Sequence, residues 1–556
     1  MKLRLIASCM LLGLVAGSHV ALAQDEKFDI FRFDIKGNTL LPPGQAEALV
    51  APFLGTGRVY GDIQKALEIL ENAYRAKGYG TVNVHVPEQE ITSGVVRLNV
   101  TEAVLGKILI SGNKHFDEAN VRASLPNLKE GIAPNLREIS ENVQLINENP
   151  AKAVEVTLAT SEQDDKVDAK VGVTEQNPQR VFITMDNSGS VETTQHRIGV
   201  AYQNANLLGG DEVLTLAYTT SPEVLLDQID DVKVDIYSVA FRKPFYGLGD
   251  SLDIIYGKSN VITPMGAQAT AIALPSLTGK GEVFALRWNH LFPRQGEYSS
   301  KLVFGYDYKF INTTCETTER GTVGGGSCTP YTVQPVSATY SGQFQGIGYQ
   351  AGYNLGLAYN FFSSGKSYAG SAGTLAATRD DKYSYILGRP VNDEFLVTRF
   401  GGSYAKLVEG WQLRAALNGQ IAVGNALPSA EQFGLVGSTA VRGFSERAIA
   451  SDSGHVINLE ALTPNLASYF NAPGNLHGVM FYDFGYGRNV GNNGEDSSFN
   501  KITVGSAGVG IRYSYQKDVT FSWDAANILD PGRDSLGGGH GNAGDWRSHF
   551  KLTLGF

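Results

Sequence analysis

The chain has 556 residues with a formal net charge of -10, 18% charged side chains, 10% aromatics and 64 glycines. A soluble chain carries about a quarter charged residues, so an ordinary soluble enzyme fits poorly, and the acidic balance argues against nucleic acid, whose partners present a basic face. Many glycines, many tyrosines and few charges suit a β-barrel.

In chain order, Lys2 and Arg4 precede an apolar run over residues 5–15, and Ala21-Leu22-Ala23 forms a small-residue cleavage signature. Residues 1–23 therefore read as a signal peptide, with maturation exposing Gln24. Ile6-Ala7-Ser8-Cys9 looks superficially like a lipoprotein cleavage box, but a membrane-crossing segment must precede such a cut and most of this one follows it, so lipidation is not expected. No later stretch approaches the roughly 18–20 continuous apolar residues of a membrane helix.

Two soluble modules follow, over residues 24–103 and 104–176. In the first, residues 30–35 read as a strand, Gly37-Asn38 as a turn, 44–54 as a short helix, 63–77 as an amphipathic helix stopped by Gly78, and 81–86 and 94–100 as strands. The β-α-α-β-β order recurs with a strand at 106–111, helices at 118–125 and 136–147, and strands at 153–158 and 167–173. Ile35-Lys36-Gly37-Asn38 returns as Ile110-Ser111-Gly112-Asn113, the mark of an internal repeat.

From Arg180 the helical period gives way to alternation. In residues 302–310 and 353–361 large apolar or aromatic side chains fall on one parity and Gly, Asp, Asn or Lys on the other, as on a strand with one face in lipid and one in water. A soluble sandwich alternates in the same way, but aromatics at strand ends and long polar loops favour the membrane. Residues 177–556 accommodate about 14–18 strands, given about 9–11 residues per tilted span plus its connections. The last strand alternates through Phe550, Leu552 and Leu554 to the terminal Phe556, a C-terminal barrel signal. Cys315 and Cys328 lie close together in a Gly/Thr/Ser-rich segment; after export they are expected to form a local disulfide, with two free thiols as the alternative.

No chemistry-bearing motif points to an enzyme. Gly257-Lys258-Ser259 and Gly365-Lys366-Ser367 resemble the end of a nucleotide-binding loop but lack its earlier glycine, so turns are expected there, and no cofactor or metal site is expected. One segment stands out instead: Val441-Arg442-Gly443-Phe444 in a late loop, followed by Phe481-Tyr482-Asp483-Phe484-Gly485.

Signal peptide, two modules, a barrel and this segment together resemble the outer-membrane transporters of two-partner secretion, the haemolysin and filamentous-haemagglutinin secretion/activation proteins, whose modules are POTRA domains. A second motif at the barrel start carries the resemblance further: Asp186-Asn187-Ser188-Gly189, then Arg197, then Asn206 through Gly209-Gly210-Asp211. Thr194-Gln195 departs from the family's usual Thr-Gly. The resemblance implies a transmembrane antiparallel β-barrel of sixteen strands in the outer membrane, POTRA domains in the periplasm, and a sixth extracellular loop folded into the pore with Arg442 paired to Asp483. A guanidinium fork holds a carboxylate bidentately, and Gly443 lets the loop bend. The implied function is translocation of an unfolded partner exoprotein recognised by the POTRA domains, with the barrel held in outer-membrane lipid and inserted there by the cell's barrel-assembly machinery. Two alternatives stay open: a factor that inserts other barrels, which usually carries more modules, and a passive porin or receptor. Many members thread a plug helix ahead of the first module; here the first strand begins at about Phe28, so no such helix is expected, and the pore is either closed by the folded-in loop or not fully closed.

Overall fold

The computed structural model describes residues 27–91, 93–189, 195–222, 234–260, 281–311, 331–361, 394–424, 426–490, 501–532 and 541–556. The signal segment, both cysteines of the expected disulfide and Gly365-Lys366-Ser367 lie outside these residues. None of the described helices is long and apolar enough to cross a membrane. Two compact units are present, one up to Val104 and one from Leu105 onward.

In the first unit, helix Tyr60–Ala76 buries Ile63, Ala66, Leu70 and Tyr74 on one stripe. That stripe packs with Phe33, Val84, Val96 and Leu98 of a three-stranded sheet ordered Arg32–Lys36, Val95–Glu102, Val82–His85. Strand Val95–Glu102 runs parallel to the first of these and antiparallel to the other. The expected 44–54 helix resolves into Gln45–Val50 and a 3-10 turn at Ala51–Phe53, and the short strands Phe28–Ile30 and Gly55–Arg58 pair with each other.

The repeated Gly-Asn turn has one physical cause in both modules. Gly37 and Gly112 have φ of 86° and 90°, and a Cβ on either would run into a backbone carbonyl oxygen, of Val100 and Val173 respectively. Side chains rarely adopt positive φ, and here there is also no room for one. Two residues beyond each of those carbonyls a glutamate clamps the turn. Glu102 accepts from the Thr39 and Leu40 amides at 2.8 and 3.0 Å, and Glu175 from those of His115 and Phe116 at 2.8 and 3.0 Å.

In the second unit, helices Glu118–Ser124 and Leu136–Ile146 open on the side-chain caps Asp117 and Asn135. They cover a sheet ordered Val104–Ser111, Lys166–Glu175, Lys152–Thr160. This module shares its core with the barrel, since Ala205 and Val213 pack among Phe116, Val121 and Val154. Lys152 and Asp211 seal the contact with a 2.6 Å ion pair whose side chains are 0% and 1% exposed.

The barrel is closed and antiparallel, with sixteen strands among the described residues from Gln179–Asp186 to Trp546–Gly555; Tyr331–Val333 and Pro335–Gly346 make one strand. Alternation falls as expected: Phe304, Tyr353, Leu355, Leu357 and Leu413 face outward and exposed, while Asp307 and Lys309 are buried inside. Turns at one end are short, as between Phe245 and Asp250 or Val408 and Trp411, and the connections at the other end are long. Gly257-Lys258-Ser259, expected in a turn, lies on strand Asp250–Ser259.

Candidate functional site: a loop tip locked inside the barrel

The loop between strands Trp411–Val423 and Ser453–Leu462 folds back into the lumen. Its stem is a minimal hairpin, Phe433–Gly434 paired with Ala450–Ser451. At the tip, the Gly437 amide donates to the Val441 carbonyl at 3.0 Å and the Val441 amide to the Leu435 carbonyl at 3.1 Å. Leu435, Val436, Val441, Phe444 and Ile449 are buried against Val456, Val504 and Ile528 of the wall. Burying this much apolar surface makes the tip a small core of its own. The wall is shaped to receive it: strand Asn475–Arg488 points Phe481, Asp483, Gly485 and Gly487 inward, and side chains on the two glycines would strike Val441 and Leu435.

Arg442 sits at the centre. Its Nε donates to Asp483 Oδ2 and its Nη2 to Asp483 Oδ1, both at 2.8 Å, and its backbone amide reaches Asp483 Oδ2 at 3.2 Å. Nη1 donates to Glu460 Oε1 at 2.8 Å and lies 3.5 Å from Asp524 Oδ2. The guanidinium carbon is 3.5 Å from the Phe481 ring centroid, a cation–π contact in a desolvated setting. Asn458 Nδ2 donates to Asp483 Oδ1 and to the Ala440 carbonyl, both at 2.8 Å. Asp483 thus accepts four N–H bonds and is 0% exposed. Such a pair fixes position and orientation, and removing one partner of a buried pair costs about 3–5 kcal/mol.

Gly443 has φ of 101°, where a side chain is strained, and a Cβ there would lie 3.2 Å from Ile528. Its amide donates to His549 Nε2 at 3.0 Å, a bond that needs the imidazole neutral at that nitrogen. Phe444 is 1% exposed.

The barrel-start residues build the seam where the sheet closes on itself. Strand Trp546–Gly555 pairs with Gln179–Asp186 from Lys551 opposite Asp186 to Gly555 opposite Phe182. Asn187 extends the seam by side chain, donating to the Ser548 carbonyl at 2.7 Å and accepting from the Phe550 amide at 2.9 Å. Asp186 stands opposite Arg197 in register and accepts from the Ser188 amide at 2.9 Å, Gly189 donates to Gln195 O at 2.9 Å, and Arg197 is 2% exposed. At the other end, Phe556 exchanges backbone bonds with Val181 at 3.2 and 2.9 Å. Asp211, from the same stretch of sequence, serves the module contact.

Glu460, Asp524, Asn458 and His549 are members of the Arg442 cluster that sequence reasoning missed. They come from three strands, Asn458 and Glu460 from Ser453–Leu462, Asp524 from Val519–Asp530 and His549 from Trp546–Gly555, and meet the loop only once the barrel closes. Their one sequence signal is parity: all are polar residues on strands with outward apolar neighbours, such as Leu459 beside Glu460.

A model of the haemolysin secretion/activation protein family, ShlB/FhaC/HecB, matches residues 166–513, and one of the ShlB-type POTRA domain matches residues 28–103. The chain belongs to this secretion/activation family. Its relatives include the outer membrane transporter CdiB of Escherichia coli O6:K15:H31, 21% identical over 78% of this chain and 68% of that protein. The heme/hemopexin transporter protein HuxB of Haemophilus influenzae strain 86-028NP is 20% identical over 92% of this chain and 86% of that protein. CdiB of Dickeya dadantii is 27% identical over a shorter stretch, 31% of this chain and 30% of that protein. The fold is similar to the solved structure of CdiB from Escherichia coli, with a TM-score of 0.73 and 18% identity over 98% of this chain and 93% of that one. The chain is thus an outer-membrane barrel of the family with POTRA modules on the periplasmic side.

Proposed function

We propose that this protein conducts one unfolded partner exoprotein from the periplasm through its barrel to the cell surface, with no catalytic chemistry of its own. The observation that carries this reading is the loop tip fixed inside the lumen through Arg442 and Asp483, in a chain whose relatives are transporters. A porin has no use for periplasmic modules, and the buried ionic anchor suits a pore that must reset after each passage. The outer faces of the strands meet outer-membrane lipid, and insertion falls to the cell's barrel-assembly machinery.

Recognition starts in the modules, by addition of an extended cargo segment to a sheet edge. In the first module strand Val95–Glu102 is central, so it offers no free edge. The edges are Arg32–Lys36 and Val82–His85, and the Val84 amide is already taken by Glu71 Oε1 at 3.2 Å. Arg32–Lys36 is therefore the edge we assign to cargo. Folding outside the cell gives the movement its direction.

The test is deletion in a strain carrying a neighbouring gene for a large exoprotein. Loss of that one secreted protein with other outer-membrane proteins unchanged is expected. A general fall in outer-membrane barrels would overturn the reading in favour of an assembly factor.

A further inference from the structure

The same loop meets the wall a second time, in a different sector of the barrel. Before the stem, Ala426, Leu427 and Ala430 bury themselves among Val234, Ile236, Val283, Ile311, Val333, Phe395 and Val397. These wall residues belong to strands Ile236–Phe245, Gly281–Gln295, Tyr298–Ile311, Tyr331–Val333 and Phe395–Val408 or directly precede one of them. Glu431 fastens this wedge. Its side chain is 0% exposed; Oε1 accepts from Lys309 Nζ at 2.7 Å and Oε2 from Arg399 Nη2 at 2.8 Å. Gln420 Nε2 donates to the Glu431 carbonyl at 2.8 Å and to the Asp452 carbonyl at 3.1 Å, and Tyr331 Oη lies 3.0 Å from Ser429 Oγ.

The two attachments differ in kind. At the tip every partner of Arg442 is largely buried, and the side chain is itself 4% exposed. At the wedge the carboxylate is buried but Arg399 is 43% exposed, so water already reaches one side of the clasp. Buried ion pairs balance a desolvation penalty against their attraction, and a half-wet cation tips that balance toward opening. Opening the wedge would uncover a collar of apolar wall residues that a passing chain can touch without being held by specific bonds.

We propose that Glu431, Lys309 and Arg399 form a releasable clasp, and that residues 426–432 are the moving gate of the pore while the Arg442 tip stays docked. This deepens the transport reading and rests on it for its purpose, but its test does not depend on cargo. In the full-length chain with Cys315 and Cys328 replaced by serine, single cysteines are placed at the wedge (Leu427→Cys) and at the tip (Val436→Cys), both buried. Adding Glu431→Gln should speed labelling of the wedge cysteine by a membrane-impermeant thiol reagent roughly tenfold or more. Labelling at the tip should keep its original rate. Lys309→Met together with Arg399→Met removes the same clasp from the wall side and should do likewise, which guards against a loop that Glu431→Gln merely misfolds. Equal acceleration at both cysteines would mean that the loop moves as one body, and no acceleration at either would mean that the clasp holds nothing; either result overturns the proposal. Failure of export by the parent chain would count against the transport reading alone.

Discussion

Two buried ion pairs hold this molecule together in different ways. Lys152 and Asp211 join the second module to the barrel, and every valence there is spoken for: Lys152 Nζ donates to Asp211 Oδ2 at 2.6 Å, Asn120 Oδ1 at 2.8 Å and Ser124 Oγ at 3.0 Å. The Tyr246 and Ser124 hydroxyls both donate to Asp211 Oδ2, at 2.6 and 2.8 Å. Burial pulls the Lys152 ammonium below its usual pKa, and Asp211 works against that pull. Arg442, by contrast, has three carboxylates within reach, Asp483, Glu460 and Asp524, with Arg512 donating to Asp524 at 2.8 Å as a second cation. Lys152 is thus held in a polar network between module and barrel, whereas the planar fork of Arg442 sets the orientation of the loop tip on its carboxylates. The module contact is built to stay, and the loop contact is built to hold a defined position in a pore.

The comparison breaks most visibly at the module contact. Lys152→Met strands a buried carboxylate and is expected to cost about 3–5 kcal/mol. Limited proteolysis should then separate the second module from an intact barrel. Lys152→Met together with Asp211→Leu removes both charges and should recover most of that loss; a double variant as labile as the single one would show that the polar network, not the uncompensated charge, sets the stability.

A smaller effect sharpens the other side. Gly443→Ala forces a side chain into positive φ and against Ile528, with a cost of about 1–3 kcal/mol. It should loosen the tip while the barrel keeps its heat-modifiable migration on gels. Smallest is Asn187→Ala, a neutral control remote in kind from both charged sites. Losing its two seam bonds should cost about 1–2 kcal/mol and lower the temperature at which the barrel unfolds on gels, leaving proteolysis of the module unchanged.

Much of this was legible in the sequence for a definite reason. Alternation at period two and the Gly-Asn repeat are local signals, so the barrel and the two modules can be read without knowing what meets what. Val441 to Phe444 and Asp483 were legible because the short runs around them match motifs of the secretion/activation family. Glu460, Asp524 and His549 were not, since strand closure alone brings them to Arg442. Glu102 and Glu175 escaped for a similar reason, although they stand at matching places in the two modules. Asp211 sat in a recognised run, but its partner Lys152 comes from the edge of another sheet and carries no motif. Which strands of the first module are edges was not legible either, because sheet order is not encoded in strand order: the last strand of that module inserts between the other two.

The most direct measurement of the central claim is secretion of the neighbouring exoprotein by cells carrying Arg442→Ala, scored against the amount of heat-modifiable barrel in the outer membrane. An undocked loop inside a correctly inserted barrel predicts a severe loss of secretion at an unchanged amount of barrel. Wild-type secretion by that variant would contradict the account.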